Sequence, residues 1–242
     1  MSPVLGEAPT LTPLNFRLIF RLATPYFGDC LMDIAKRVEL SIEGGRNRNW
    51  DQALDLICPA LEATARKALG KAKITGKEYK DYVRSKYQII EPFSCTGLNM
   101  SETRFPNISV STDDGKTLEN PDVADIIYHC YRNATQHGYT ISSKFAFSEQ
   151  QPGSFVGWNF NFGEGRIHFP VNLVWALIAT VVLEKSNKDI VSFTGQFLYL
   201  NVENKNVHFP VGLFWGGEDL VVNFFGKHPR PTVTMRFTNN IS

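Results

Sequence analysis

Residues 170–184, PVNLVWALIATVVLE, place apolar side chains all the way round a helix. A helix without a polar face has to be buried. The apolar run 171–183 is interrupted by Asn172 and is too short to cross a bilayer, so no membrane span is expected and the segment belongs in a protein core. A chain of 242 residues can bury one substantial core, or one core with an appended module. A hydrophobic content of 43% and a charged content of 20% exclude a disordered chain. The net charge of +1 excludes a surface coated with basic residues for indiscriminate nucleic-acid binding, while a local basic patch remains compatible.

Helical periodicity dominates the first half. Residues 1–24 contain Pro3, Pro9 and Pro13, with Pro25 just beyond, and read as an arm over the surface; Leu14, Phe16, Leu18 and Phe20 alternate in part, as in a short edge strand. From 25 to 41, Phe27, Leu31, Ile34, Ala35, Val38 and Ile42 recur at three- and four-residue steps, and Gly44-Gly45 predicts the end of that helix. Asn49 suits the cap of a second helix over 50–70, with Ala53, Leu54, Ile57, Leu61, Thr64, Ala65 and Ala68 as its buried stripe and Gly70 as its stop. Pro59 inside it predicts a kink or a restart. A third helix is expected over 75–90, closed by Pro92, with Tyr79, Tyr82, Val83, Lys86 and Ile90 on one face. Residues 93–118 read as a long irregular connection with a short strand at 108–111.

The second half has strand texture. Residues 144–148, 155–162 and 166–169 alternate, separated by the turns at 150–153 and 163–165. The tail over 189–239 is expected to be β-rich, with strands at 193–202, 207–209, 220–225 and 232–238. Within it, Val207-His208-Phe209-Pro210-Val211-Gly212-Leu213-Phe214-Trp215 echoes Ile167-His168-Phe169-Pro170-Val171-Asn172-Leu173-Val174-Trp175 at a distance of forty residues. The plain reading is a recurring way of ending a strand against a core. A duplication would demand a matching helix after Trp215, where Gly216-Gly217 opposes an easy one.

Cys30, Cys58, Cys95 and Cys130 fall singly, and Cys58 and Cys130 lie in apolar helical contexts, which predicts buried reduced thiols. The opening MSPVLGEAPTLTP lacks a basic region leading into an apolar run, so no signal peptide is expected. A cytoplasmic protein is the simplest expectation. The scattered histidines show no metal-ligand spacing, and no phosphate-binding loop or nucleophile elbow is present, so no metal or other cofactor is expected. The many aromatics of the β part read as core rather than as a base-stacking platform.

Residues 119–138, ENPDVADIIYHCYRNATQHG, carry the most suggestive chemistry. Asn120 can cap a helix, Pro121 suits its first position, Asp122 and Asp125 suit its positive end, and Gly138 suits its stop. Its last turns hold Arg132, Asn133 and His137. An imidazole can take a proton from a ribose 2′-hydroxyl, and a guanidinium can hold the charge that develops on phosphorus. At about 100° per residue, His137 lies roughly 140° around an ideal helix from Arg132. The two then meet at one phosphate only if the helix distorts or if two copies combine. In isolation the plain reading is structural: His137 as a satisfied helix-terminal residue interacting with the dipole, and Arg132 as a surface ion-pair residue.

Arg132-Asn133 followed by His137 and Gly138 at the end of a helix resembles the motif of the HEPN superfamily: an arginine, a polar residue directly after it, and a histidine separated from the arginine by four to six residues. Residues 53–70 resemble an early helix of bacterial HEPN-like proteins, and residues 169–177 the helix that follows the motif in some of them. The resemblance spans roughly residues 25–187. It implies a helical bundle that forms a homodimer, with motif residues of both copies in one cleft. Many such proteins are metal-independent endoribonucleases in toxin–antitoxin, phage-defence or RNA-processing systems; others are non-catalytic dimerisation or nucleotide-binding modules. In this reading His137 is the general base, Arg132 clamps the transition state and Asn133 supports them. RNA and an antitoxin or regulatory protein are the implied partners.

A basic stripe supplies a second constellation. Residues 62–86 hold eight basic side chains against three acidic ones, and Lys73, Lys77, Lys80 and Arg84 share a helix face able to track a phosphate backbone; a solvated helix face is the alternative. Together these features predict an α+β protein: an arm (1–24), a HEPN-like helical bundle (25–187) with a β-hairpin insertion at about 141–169, and a β-rich C-terminal extension (188–242).

Overall fold

The computed structural model describes residues 28–94, 97–105, 110–111, 117–118, 120–132, 145–148, 159–161, 166–192, 195–202 and 205–226. The proposed arm and the last expected strand, 232–238, lie outside them. Helix α1, Gly28–Arg46, leads through a turn at Arg48 (φ 57°) into α2, Trp50–Leu69. Asn49 caps α2 by accepting the N–H of Gln52, and Gly70, at φ 64°, ends it. Two expectations fail here. Gly44-Gly45 does not end α1. Those positions lack side chains because neighbours approach: a Cβ on Gly45 would lie 2.9 Å from the Trp175 ring, and one on Gly44 3.2 Å from the backbone of Ala53. Pro59 does not interrupt α2 either. Ile57, Cys58, Ala60 and Leu61 around it are fully buried, and that packing outweighs one missing hydrogen bond.

The third expected helix is two, α3 (Gly76–Ser85) and α4 (Tyr87–Ser94), divided at Lys86, and Pro92 lies inside α4 instead of closing it. Thr75 and Glu78 form a reciprocal capping box at the start of α3. The strand expected at 108–111 is β1, Val110–Ser111, antiparallel to β2, Thr117–Leu118. Helix α5, Val123–Ile126, passes directly into a π-helical turn, Ile127–Arg132.

Strands β3 (Phe145–Ser148), β4 (Asn159–Asn161) and β5 (Arg166–Pro170) form a sheet in the order β3-β5-β4. The expected hairpin is β4–β5, and β3 joins it parallel to β5. Next comes the apolar helix, α6, Asn172–Leu183, which packs against α1, α2 and α4. Every side chain from Leu173 to Leu183 is buried except that of Trp175, whose ring meets Trp50 edge-on at 6.4 Å. The one hydroxyl in this stretch, Thr180, donates to the Ala176 carbonyl at 2.8 Å, so the helix satisfies its own polar group.

Strands β6 (Phe197–Val202) and β7 (Lys205–Pro210) form a second hairpin, followed by the single turn α7 (Val211–Phe214) and by α8 (Glu218–Gly226). Helix α8 replaces the strand expected over 220–225. A continuous apolar run does not reveal its period. Here Val221 and Phe225, four residues apart, are buried, while Leu220 is exposed.

The forty-residue echo extends into the sheet registers. Asn159, Phe160 and Asn161 pair with His168, Ile167 and Arg166; Tyr199, Leu200 and Asn201 pair with His208, Val207 and Asn206. Each hairpin then runs through Phe-Pro-Val into a helix. In the second unit Gly216, at φ 74° and packed against Lys188, stops that helix after one turn. The molecule thus joins helices with small sheets in an α+β arrangement.

Candidate functional site

The helix that leads to Arg132 begins two residues later than expected. Asn120 adopts φ 54°, and the Pro121 carbonyl accepts the N–H of Phe105 at 3.0 Å, so neither serves the helix start. Asp122 is the cap. Its extended backbone (φ −92°, ψ −179°) lets Oδ1 accept the N–H of Asp125 at 2.9 Å, while Asp125 Oδ2 accepts the N–H of Asp122 at 3.3 Å. Aspartate caps as well as asparagine does, and Asp-x-x-Asp closes the box from both sides. The N–H of Ala124 donates to Tyr87 Oη at 2.9 Å. Pro121 to Tyr128 are all buried, so this segment is embedded rather than amphipathic.

From Ile127 to Arg132 the backbone widens to π geometry, where an α-helix was expected as far as Gly138. A π turn advances less than an α turn per residue, so ideal α projection no longer fixes where Arg132 points. Arg132 is the last described residue of this turn; Asn133 and His137 lie outside the described residues. His129, absent from the sequence-based set, lies within the same turn, its ring edge-on to Tyr128 at 4.8 Å.

Helix α3 lies along this segment in an antiparallel seam. Gly76 abuts Tyr128, where a Cβ would collide with the phenol. Lys80 Nζ sits 3.0 Å from Asp125 Oδ1 and 5.8 Å from the Tyr128 ring centre. Arg84 Nε donates to Asp122 Oδ2 at 2.8 Å and Nη2 to Asp122 Oδ1 at 3.3 Å; Nη2 also approaches Asp125 Oδ2 at 3.2 Å, and Nη1 donates to Asp81 Oδ1 at 3.0 Å. Four-residue steps up α3 thus meet three-residue steps down the other helix. Partial burial works against the Arg84 cation, yet Asp122, Asp125 and Asp81 hold its affinity for the proton above the ordinary arginine value. Burial also works against the Asp125 carboxylate, and Lys80 together with the bonds to Asp122 more than offsets it, leaving that pKa lowered.

The basic stripe is therefore not a uniform phosphate track. Lys80 and Arg84 face two carboxylates across the seam, Asp122 and Asp125, and Arg84 also pairs with Asp81 on its own helix. Lys77 pairs with Asp81 at 2.7 Å along the exposed side of α3, and Lys73 is exposed. Lys71 pairs with Glu78, whose carboxyl is lowered to about 2 by that hydrogen bond and by the capping bonds of Thr75.

A second charged cluster escaped sequence reasoning. Lys86 Nζ lies 2.8 Å from Glu184 Oε2 and 2.8 Å from Glu218 Oε2; Tyr82 Oη donates to Glu184 at 2.9 Å, and Gln88 Nε2 to Glu218 at 3.3 Å. The ammonium and both carboxylates are nearly inaccessible to solvent. Burial opposes the Glu184 charge, but Lys86, with the Ser186 N–H and the Tyr82 hydroxyl, outweighs it and the pKa of Glu184 is lowered; burial and Glu184 raise that of Tyr82 well above the ordinary value. The available signal was Lys86 on the apolar face of its helix. This arrangement fastens α4, the end of α6 and the start of α8 together.

Cys58 is buried, and desolvation, with Asp55 adding to it, pushes its thiol up to about 12. It is not a nucleophile. Among the described residues no group of three or more His, Cys, Asp and Glu side chains is placed to hold a metal ion, and no helix is long and apolar enough to cross a membrane.

No curated protein and no solved structure matches this sequence. One family model does, over residues 33–241, which takes in α2 to α8, the π turn and the Arg132 motif. The chain belongs to the Rv1289 family.

Proposed function

We propose that the protein is a metal-independent endoribonuclease of HEPN type that works as a homodimer. One observation carries the reading: the Arg132-Asn133-x-x-x-His137 sequence begins at the last described residue of a π turn, a distortion frequent at functional positions. In this mechanism His137 takes the proton of a ribose 2′-hydroxyl. The freed oxygen attacks the adjacent phosphorus, the P–O5′ bond breaks, and the departing 5′ oxygen collects a proton. Arg132 holds the charge on the phosphoryl oxygens, and Asn133 supports the pair. Lys73 and Lys77, the exposed members of the basic face, are the residues available to the RNA backbone, with Lys80 and Arg84 set back in the seam. The test is cleavage of an RNA oligonucleotide by purified protein in EDTA. Cleavage lost in His137→Ala and in Arg132→Ala, and regained when these two variants are mixed, is the expected result for a site shared between copies. Cleavage indifferent to His137→Ala defeats the reading.

A second reading is favoured by a separate observation. Asp122 and Asp125 across the seam, with Asp81 on α3 itself, surround Lys80 and Arg84, an unwelcoming surface for a polyanion. A non-catalytic HEPN-like dimerisation or nucleotide-binding module fits that charge balance. It predicts a dimer that binds a nucleotide or nothing and leaves RNA intact.

A further inference from the structure

We infer that α3 is the positioning element of the proposed site: the ladder Gly76–Tyr128, Lys80–Asp125 and Arg84–Asp122 fixes the helix that presents Arg132. The inference rests on the ribonuclease reading for its catalytic consequence, and on the geometry alone for the clamp. Nε, Nη1 and Nη2 of Arg84 are all engaged by Asp122, Asp125 and Asp81, so the guanidinium has no free edge for a phosphate. Lys80 is held between the Asp125 carboxylate and the Tyr128 ring. A phosphate entering this seam would displace aspartates from both cations.

What the ladder grips is the start of a helix only four residues long that runs without a break into the π turn ending at Arg132. Asp122 is buried and serves twice, as the cap and as the acceptor of the Arg84 fork. The missing Cβ at Gly76 lets α3 approach Tyr128, inside the turn itself. The clamp therefore holds the segment at Asp122, at Asp125 and at Tyr128, four residues before Arg132. A side chain at the far end inherits any rotation or slide of this segment, and misplacement by about 1 Å can cost 10²-fold in rate.

The experiment uses the full chain and the variants Arg84→Gln, Arg84→Lys and Lys80→Gln. Three quantities are read: kcat for RNA cleavage in EDTA, RNA affinity against salt concentration, and amide hydrogen exchange and NMR shifts over 123–132 compared with α2. A clamp predicts that Arg84→Gln lowers kcat on the order of 10²-fold with KM and the salt slope unchanged. Exchange should rise in 123–132 and not in α2, and Arg84→Lys should recover part of the loss. If RNA affinity falls and the salt slope drops by about one, Arg84 is a phosphate contact and the inference is overturned. Unchanged exchange over 123–132, or an equal rise everywhere, overturns it as well. Should the wild type cleave no RNA, the ribonuclease reading fails, and the exchange and shift data still decide the clamp. If Arg84→Gln does not fold, Arg84→Lys and Lys80→Gln carry the same comparison.

Discussion

Arg84 grips Asp122 through two nitrogens, Nε at 2.8 Å and Nη2 at 3.3 Å, across thirty-eight residues of sequence. The same aspartate caps the helix that leads to Arg132, so one carboxylate joins two elements. Its two roles are separable. Asparagine keeps the capping oxygen and loses the charge, whereas alanine loses both. Asp122→Ala should therefore be less stable than Asp122→Asn by about 1 kcal/mol, the usual worth of a cap. Urea unfolding of the two variants measures that difference, and equal midpoints would show that Asp122 is not the working cap.

Lys86 pairs with both Glu184 and Glu218. Lys86→Met leaves two buried carboxylates facing each other and should cost about 3–5 kcal/mol in urea unfolding. Adding Glu184→Gln and Glu218→Gln should return most of that loss, because the remaining amides carry no charge. A loss that persists in the triple variant would assign the cost to packing instead.

Acid should weaken the same contacts. The pKa values of Glu184 and Asp125 are lowered in the fold from ordinary values of 4.5 and 3.8. Groups lowered by folding add stability above their unfolded pKa and lose it as pH falls through the folded value. Stability should be level near neutrality, begin to fall below about pH 4.5 and fall further below 3.8. Thermal unfolding from pH 7 to pH 2.5 reads this out. In Glu184→Gln the first part of that decline should shrink.

Much of the fold was legible because burial leaves a strong imprint. The all-apolar 170–184 stretch needed no period to be placed inside, and Asn49 and Gly70 bounded α2 as their chemistry suggests. The errors share a cause: one residue type serves two physical ends. Gly70 ends a helix by adopting φ 64°, while Gly45 continues one because Trp175 leaves no room for a side chain. Asn120 and Asp122 are equally good caps by residue type, and the choice falls to Asp122 through the reciprocal bond with Asp125 and the left-handed backbone of Asn120. Residues 220–225, LVVNFF, have the composition of a strand and lie in a helix. At the site, Arg132 was recognisable by type, while the partners of Lys80 and Arg84 across the seam lie some forty residues away, a distance that no local pattern reports.

Cys58 gives a prediction about reactivity. With its thiol pushed up to about 12 and fully buried, it should resist a thiol-specific reagent at pH 8 in the native protein and react once the protein is unfolded in urea. Counting labelled positions by mass spectrometry checks it. Rapid labelling of Cys58 in the native state would mean that α2 opens locally.

The central claim is the chemistry of the Arg132, Asn133 and His137 set. Attack by a 2′-hydroxyl leaves a definite mark on the products, independent of which RNA is cut. The most direct measurement is the end-group analysis of RNA cut by the wild-type protein in EDTA, with His137→Ala alongside. A ribonuclease of this type yields 2′,3′-cyclic phosphate and 5′-hydroxyl ends that disappear in the variant. Intact RNA, or 3′-hydroxyl and 5′-phosphate ends, or products unchanged in His137→Ala, would contradict it.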